Sequence, residues 1–183
     1  MIEVGVSIEI PEPYGSQLRQ ARASFGDPLA ATIPSHITLI PPLAIAESDL
    51  DDFVERLEAA AAAVPAYVLR LRGTGTFRPV SSVVFVAVSK GIFYTEMLQV
   101  RIRDELGDTV APAQFPFHPH VTVAHDLDEA ALDRADETLK DFECEFAVES
   151  FALYVRDEAQ GWVPRRTFPL RLAGSAASGS GLT

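Results

Sequence analysis

Cysteine is nearly absent: Cys144 is the only one in 183 residues. An internal disulfide framework is therefore excluded, and a reducing compartment fits. The surrounding "DFECEFAVES" reads as a strand flanked by acids, so the thiol is expected to pack rather than react; nearby carboxylates would raise its pKa. Positive charge is scarce as well. Fifteen Lys and Arg stand against 26 Asp and Glu, a net charge of −11 and a pI near 4.7. That balance argues against broad, sequence-independent binding to nucleic acid, which needs a basic face. It argues equally against docking on anionic membrane through a polybasic patch. A small anionic ligand, a nucleotide or just the end of an RNA remains compatible if a few cations gather locally. No run approaches the ~18 apolar residues of a membrane span, and Glu3 stands where a signal peptide carries positive charge. These absences describe a soluble, cytoplasmic chain, expected to be monomeric.

What is present is a core-forming composition, 48% hydrophobic, enough for one domain of two intertwined lobes over residues 1–172. The Gly-, Ser- and Ala-rich end, 173–183, is expected to be a flexible tail. "IEVGVSIEI" alternates as a strand. Tyr14, Leu18, Ala21 and Phe25 then share a helical face. A strand holding His36 and Thr38 follows, expected to end at Pro41 and Pro42. Ser48 is expected to cap a helix striped by Leu50, Phe53, Val54, Leu57 and Ala61, with Asp51 at the capping-box offset and Pro65 closing it. "AYVLRLRGTGTF" and "SSVVFVAVS" read as two strands. The order then recurs: a helix from about 91 to Gly107, a second strand with His120 and Thr122, a helix capped by Asp126 or Asp128, and strands in "CEFAVESFALYVRD" and "RRTFPLRL". An α+β protein of two pseudo-symmetric lobes follows.

The recurring element is His-x-Thr, as "SHITLIPP" and "HPHVTVAH". In a strand, residues i and i+2 point to one face. His36 projects with Thr38, and His120 with Thr122, while Ile37 and Val121 turn to the other side. A lone histidine on a strand is usually a satisfied structural residue. With four His and ten Thr in the chain, two His-x-Thr pairs arise by accident in roughly 2% of such compositions, before their matching context is counted. Two imidazoles opposed across a cleft suit in-line displacement at phosphorus: one accepts the proton of the attacking oxygen, the other protonates the leaving one. Threonine hydroxyls can donate to the non-bridging oxygens as charge builds there. The scheme needs no metal and no cofactor.

These two segments resemble the paired motifs of the two-histidine (2H) phosphoesterase superfamily, within it the bacterial RNA 2′,3′-cyclic phosphodiesterase / 2′-5′ RNA ligase branch. The resemblance covers nearly all of the chain short of its tail. It implies a bilobal α+β fold of antiparallel sheets with helices outside and both motifs lining a central groove. It also implies metal-independent opening of cyclic phosphates, with His36 and His120 as the acid/base pair and Thr38 and Thr122 as phosphate-binding hydroxyls.

Other residues are candidates for substrate contact. His118 shares the parity of His120, so a zinc site of His118 and His120 with His125 or Asp126 is an alternative; it would leave His36 and Thr38 without a role. His125 itself has the wrong parity if the strand runs straight through it. Arg78 and Arg156, with Arg165 and Arg166, could meet phosphate; Phe77, Tyr154 or Trp162 could stack on a base. "GTGTF" lacks the G-K-[ST] of a phosphate loop and reads as a turn. A binding module that keeps the groove but turns nothing over is the rival from a different class.

Overall fold

Val4, Val6 and Ile8, all buried, alternate along the first strand, β1 (Ile2–Glu9), and place it at the centre of a sheet. The computed structural model describes residues 1–172; the expected flexible tail lies outside them. After β1 come α1 (Tyr14–Ser24), β2 (His36–Ile45), α2 (Leu50–Ala63), β3 (Tyr67–Thr76), β4 (Val83–Lys90), α3 (Ile92–Leu106), β5 (His120–His125), α4 (Glu129–Leu139), β6 (Glu143–Val148), β7 (Ser150–Asp157) and β8 (Gly161–Pro169). Two antiparallel four-stranded sheets result, ordered β2-β1-β7-β8 and β5-β4-β3-β6. They define lobe one and lobe two.

The lobes are not the two halves of the sequence. β3 and β4 join the sheet of the second motif, and β7 and β8 join that of the first. The run "CEFAVESFALYVRD" is split at Glu149 into β6 and β7, one for each sheet. Both motif strands, β2 and β5, are sheet edges, and they lie against each other. Helices α2 and α3 pack together beside lobe one, α4 lies on β3, β4 and β5, and α1 reaches across to β5. Among the described residues no helix is long and apolar enough to cross a membrane.

Local expectations change at β2, at α2 and at Cys144, and the open choice of cap at α4 is decided. β2 continues through Pro41 and Pro42 to Ile45, because both prolines fall where the register with β1 slips, between the pairs Val6 with Ile40 and Val4 with Leu43. A proline without an N–H is tolerated at such an irregularity on an edge strand. Ser48 does not cap α2. The chain enters through a 3-10 turn at Glu47–Asp49, and the Ser48 hydroxyl donates to the Asp49 carboxylate. At α4 it is Asp128 that caps, accepting from the Ala131 N–H at 2.7 Å, while Asp126 sits before it with φ of +52°. Cys144 is buried on β6, and burial, opposed by a bond from the Leu71 backbone, pushes its thiol up to about 11. The cause is desolvation, not the flanking carboxylates.

Candidate active site

Both motif strands carry the same irregularity. Thr38 pairs with Ser7 and Ile40 with Val6, so Leu39 is an extra residue. Thr122 pairs with Phe85 and Ala124 with Val84, so Val123 is extra. Each is a one-residue bulge directly after the threonine, and the two residues that follow, Leu39 and Ile40 or Val123 and Ala124, are all buried. The bulge resets parity. His125 pairs with Val83, two residues from Phe85, and so returns to the face of His120 and Thr122. The strand does run through His125, but the straight-strand parity does not hold.

The imidazoles are oriented by their own chain. Nδ1 of His36 lies 2.7 Å from the Pro34 carbonyl, and Nδ1 of His120 lies 2.7 Å from the His118 carbonyl. A carbonyl oxygen only accepts, so the proton belongs on Nδ1 and each neutral ring keeps a free Nε2 lone pair. Burial holds His36 below its usual range; the Pro34 carbonyl opposes this, and the positive Arg22 adds to it. His120 is likewise lowered by burial, opposed by the His118 carbonyl, with the charges of His118 and His36 pushing it further down. The charge of His36 thus reaches His120 from the other motif strand.

The flanks differ. His36 and Thr38 open on a recess with Tyr154 and Trp162. Tyr154 donates to the Glu9 carboxylate at 3.4 Å, and burial, with Glu9, pushes its hydroxyl up to about 12. His120 instead sits edge-on to Phe77, ring centroids 4.9 Å apart, with Phe85 at 5.2 Å. The exposed His118 ring joins this cluster, 6.1 Å from His120. Among the described residues no three His, Cys, Asp or Glu gather as a metal would need.

Carboxylates hold three of the four candidate arginines. Arg78 shares its side of the sheet with Thr76 and bonds Glu129 and Asp133 of α4 at 2.7 and 2.9 Å. Arg156 is held by Glu3 at 3.0 Å, beyond Tyr154 along β7. Arg166 pairs with Glu58 of α2 and lies on the Phe168 ring. Arg165 is exposed on the edge strand β8.

The profile of the 2′-5′ RNA ligase superfamily matches residues 10–160, both motifs included. The chain belongs to that superfamily, the two-histidine phosphoesterases. A Bacillus cytotoxicus protein provisionally named a phosphoesterase is 30% identical to this superfamily member over 148 residues, 79% of this chain and 83% of that protein. A similarly named Bacillus anthracis protein is 28% identical over the same coverage. TT0787 of Thermus thermophilus superposes with a TM-score of 0.62 at 23% identity, over 92% of this chain and 98% of its own. E. coli LigT in complex with NADP+ gives 0.64 at 19%, over 93% and 98%. The solved structures establish the shared bilobal fold, and the family and its relatives place this member among the phosphoesterases.

Several groove residues of this superfamily member escape sequence reading. Glu9 and Ser7 stand opposite His36 and Thr38 on β1. Arg22 of α1, buried and bonded to Asp27 at 2.8 Å, charges the surroundings of His36. Phe85 closes lobe two. Ser7, Glu9 and Phe85 sit in ordinary strands, and no spacing rule links them to a motif on the adjacent strand.

Proposed function

We propose that this superfamily member opens 2′,3′-cyclic phosphates, or related 2′-linked phosphodiesters, of nucleotides or RNA ends by two-histidine acid/base catalysis without a metal. The observation that carries the reading is the matched pair of Nδ1-anchored imidazoles, each beside a threonine, on abutting strands. One neutral histidine takes the proton of a water whose oxygen attacks phosphorus. The P–O3′ bond breaks, and the other histidine, protonated, gives its proton to O3′, leaving a 2′-phosphomonoester. Thr38 and Thr122 donate to the non-bridging oxygens. Proton exchange with solvent then restores both rings. A 5′-hydroxyl in place of water would form a 2′-5′ linkage by the same steps. LigT has been solved with 3′-AMP, NADP+ and ATP, which supports a small nucleotide as ligand. The carboxylates on Arg78 and Arg156 support a substrate with few phosphates.

The test is a panel of 2′,3′-cyclic mononucleotides, cyclic-phosphate-ended oligonucleotides and 2′-5′ dinucleotides in excess EDTA. Turnover is expected to persist in EDTA and to drop by roughly 10²–10⁴ in either His36→Ala or His120→Ala. Full activity in both variants sinks the reading.

A further inference from the structure

The two motifs are near-copies, but the strands beside them are not. In lobe two, Thr122 faces Phe85, and Phe85 in turn faces Gly75. The Phe85 ring lies across that glycine: a Cβ at Gly75 would meet ring carbons at 2.6 and 2.8 Å. Phe77 packs on the same ring at 4.6 Å between centroids, and Phe85 is only 5% exposed. Lobe two fills its own space beside the catalytic pair.

Lobe one carries Ser7 where lobe two has Phe85, with Ala152 opposite it, and Gly5 where lobe two has Val83, with Tyr154 opposite it as Phe77 is opposite Val83. The smaller residues leave a recess of about 130 Å³ lined by His36 and Thr38 together with Tyr154, Trp162 and Pro42. The indole lies along β1 at Gly5, with ring carbons 3.6 and 3.8 Å from where a Cβ would stand. Among the described residues the only ionisable side chains lining the recess are His36 and Tyr154, and the Tyr154 hydroxyl is tied to Glu9. Two aromatic faces and no fixed charge suit an uncharged planar ring, with the charged end of the ligand left at the mouth.

We propose that this recess is the subsite for the aromatic base of a single nucleotide, held by lobe one alone against Trp162 and Tyr154, with its phosphate presented at His36 and Thr38. The placing of the phosphate rests on the phosphodiesterase reading; the recess for the base does not. Because Phe85 and Phe77 occupy the equivalent volume in lobe two, the pseudo-symmetric groove takes its substrate in one orientation.

Trp162 is the only tryptophan, so its emission reports on this recess. Titration with adenosine 2′-monophosphate is expected to change that emission saturably, and inorganic phosphate to leave it unchanged. The His120→Ala variant, which leaves the lining of the recess intact, should keep the nucleotide response. In kinetics, Trp162→Ala, at a partly buried position, should raise KM for a 2′,3′-cyclic mononucleotide roughly tenfold to a hundredfold with little change in kcat. A base-free cyclic phosphate, glycerol cyclic phosphate, should be turned over as before. Ser7→Phe, which gives lobe one the residue of lobe two, should act in the same direction. Emission unmoved by adenosine 2′-monophosphate up to its solubility overturns the proposal, as does an equal effect of Trp162→Ala on both substrates. If no cyclic phosphate is turned over while the emission still saturates, the phosphodiesterase reading falls and the base subsite stands.

Discussion

At the scale of single residues, each motif histidine is oriented by a carbonyl two positions before it, so "PSH" and "HPH" carry their own tautomer control. Burial lowers both rings from the usual 6.5. The base must be neutral, so kcat/KM rises as pH climbs through its pKa; the acid must be protonated, so kcat/KM falls through its own. With both displaced downward, the bell-shaped kcat/KM profile of a cyclic mononucleotide is expected to peak below pH 6.5, its two limbs belonging to the coupled pair. A maximum on the alkaline side of neutrality contradicts this. The four motif residues were legible in the sequence because i and i+2 share a strand face whatever the rest of the chain does. Arg22, which adds to the lowering of His36, was not: it lies on α1, and only packing brings it near.

At the scale of elements, the bulges decide more than the strands. They bury consecutive residues after each threonine and bring His125 back to the groove face, which strict alternation misses. Helix ends were partly legible. Asp128→Ala removes a formed side-chain cap and is expected to cost about 1 kcal/mol, read as a shift in the urea midpoint with the slope unchanged. Ser48, with no capping bond to lose, makes an internal comparison, since Ser48→Ala should move that midpoint far less. Gly75 is a packing glycine. Gly75→Ala drives a methyl into the Phe85 ring and is expected to cost about 1–3 kcal/mol by overpacking. Turnover should fall along with stability, because the displaced ring rests against His120.

At the scale of the molecule, the strand exchange between sequence halves gives each motif an edge position in its own sheet, and the two edges meet to form the groove. For the same terminal cyclic phosphate, kcat/KM is expected to be lower on an oligonucleotide than on a mononucleotide, since the added phosphates meet a chain of net charge −11. The gap should narrow as ionic strength rises from about 0.01 to about 0.15 M, where the Debye length contracts from about 30 to about 8 Å. Kinetics at the two salt levels check this; a gap that widens with salt contradicts it. The sequence by itself determined the order of elements, the repeated His-x-Thr pair and the face each pair shares, because periods of two and 3.6 are properties of the local backbone. Only the tertiary structure decided which strands lie beside those motifs: Ser7 and Gly5 next to one, Phe85 and Val83 next to the other. Open recess or filled wall depends on side chains contributed by a neighbouring strand, and that neighbour is chosen by long-range pairing.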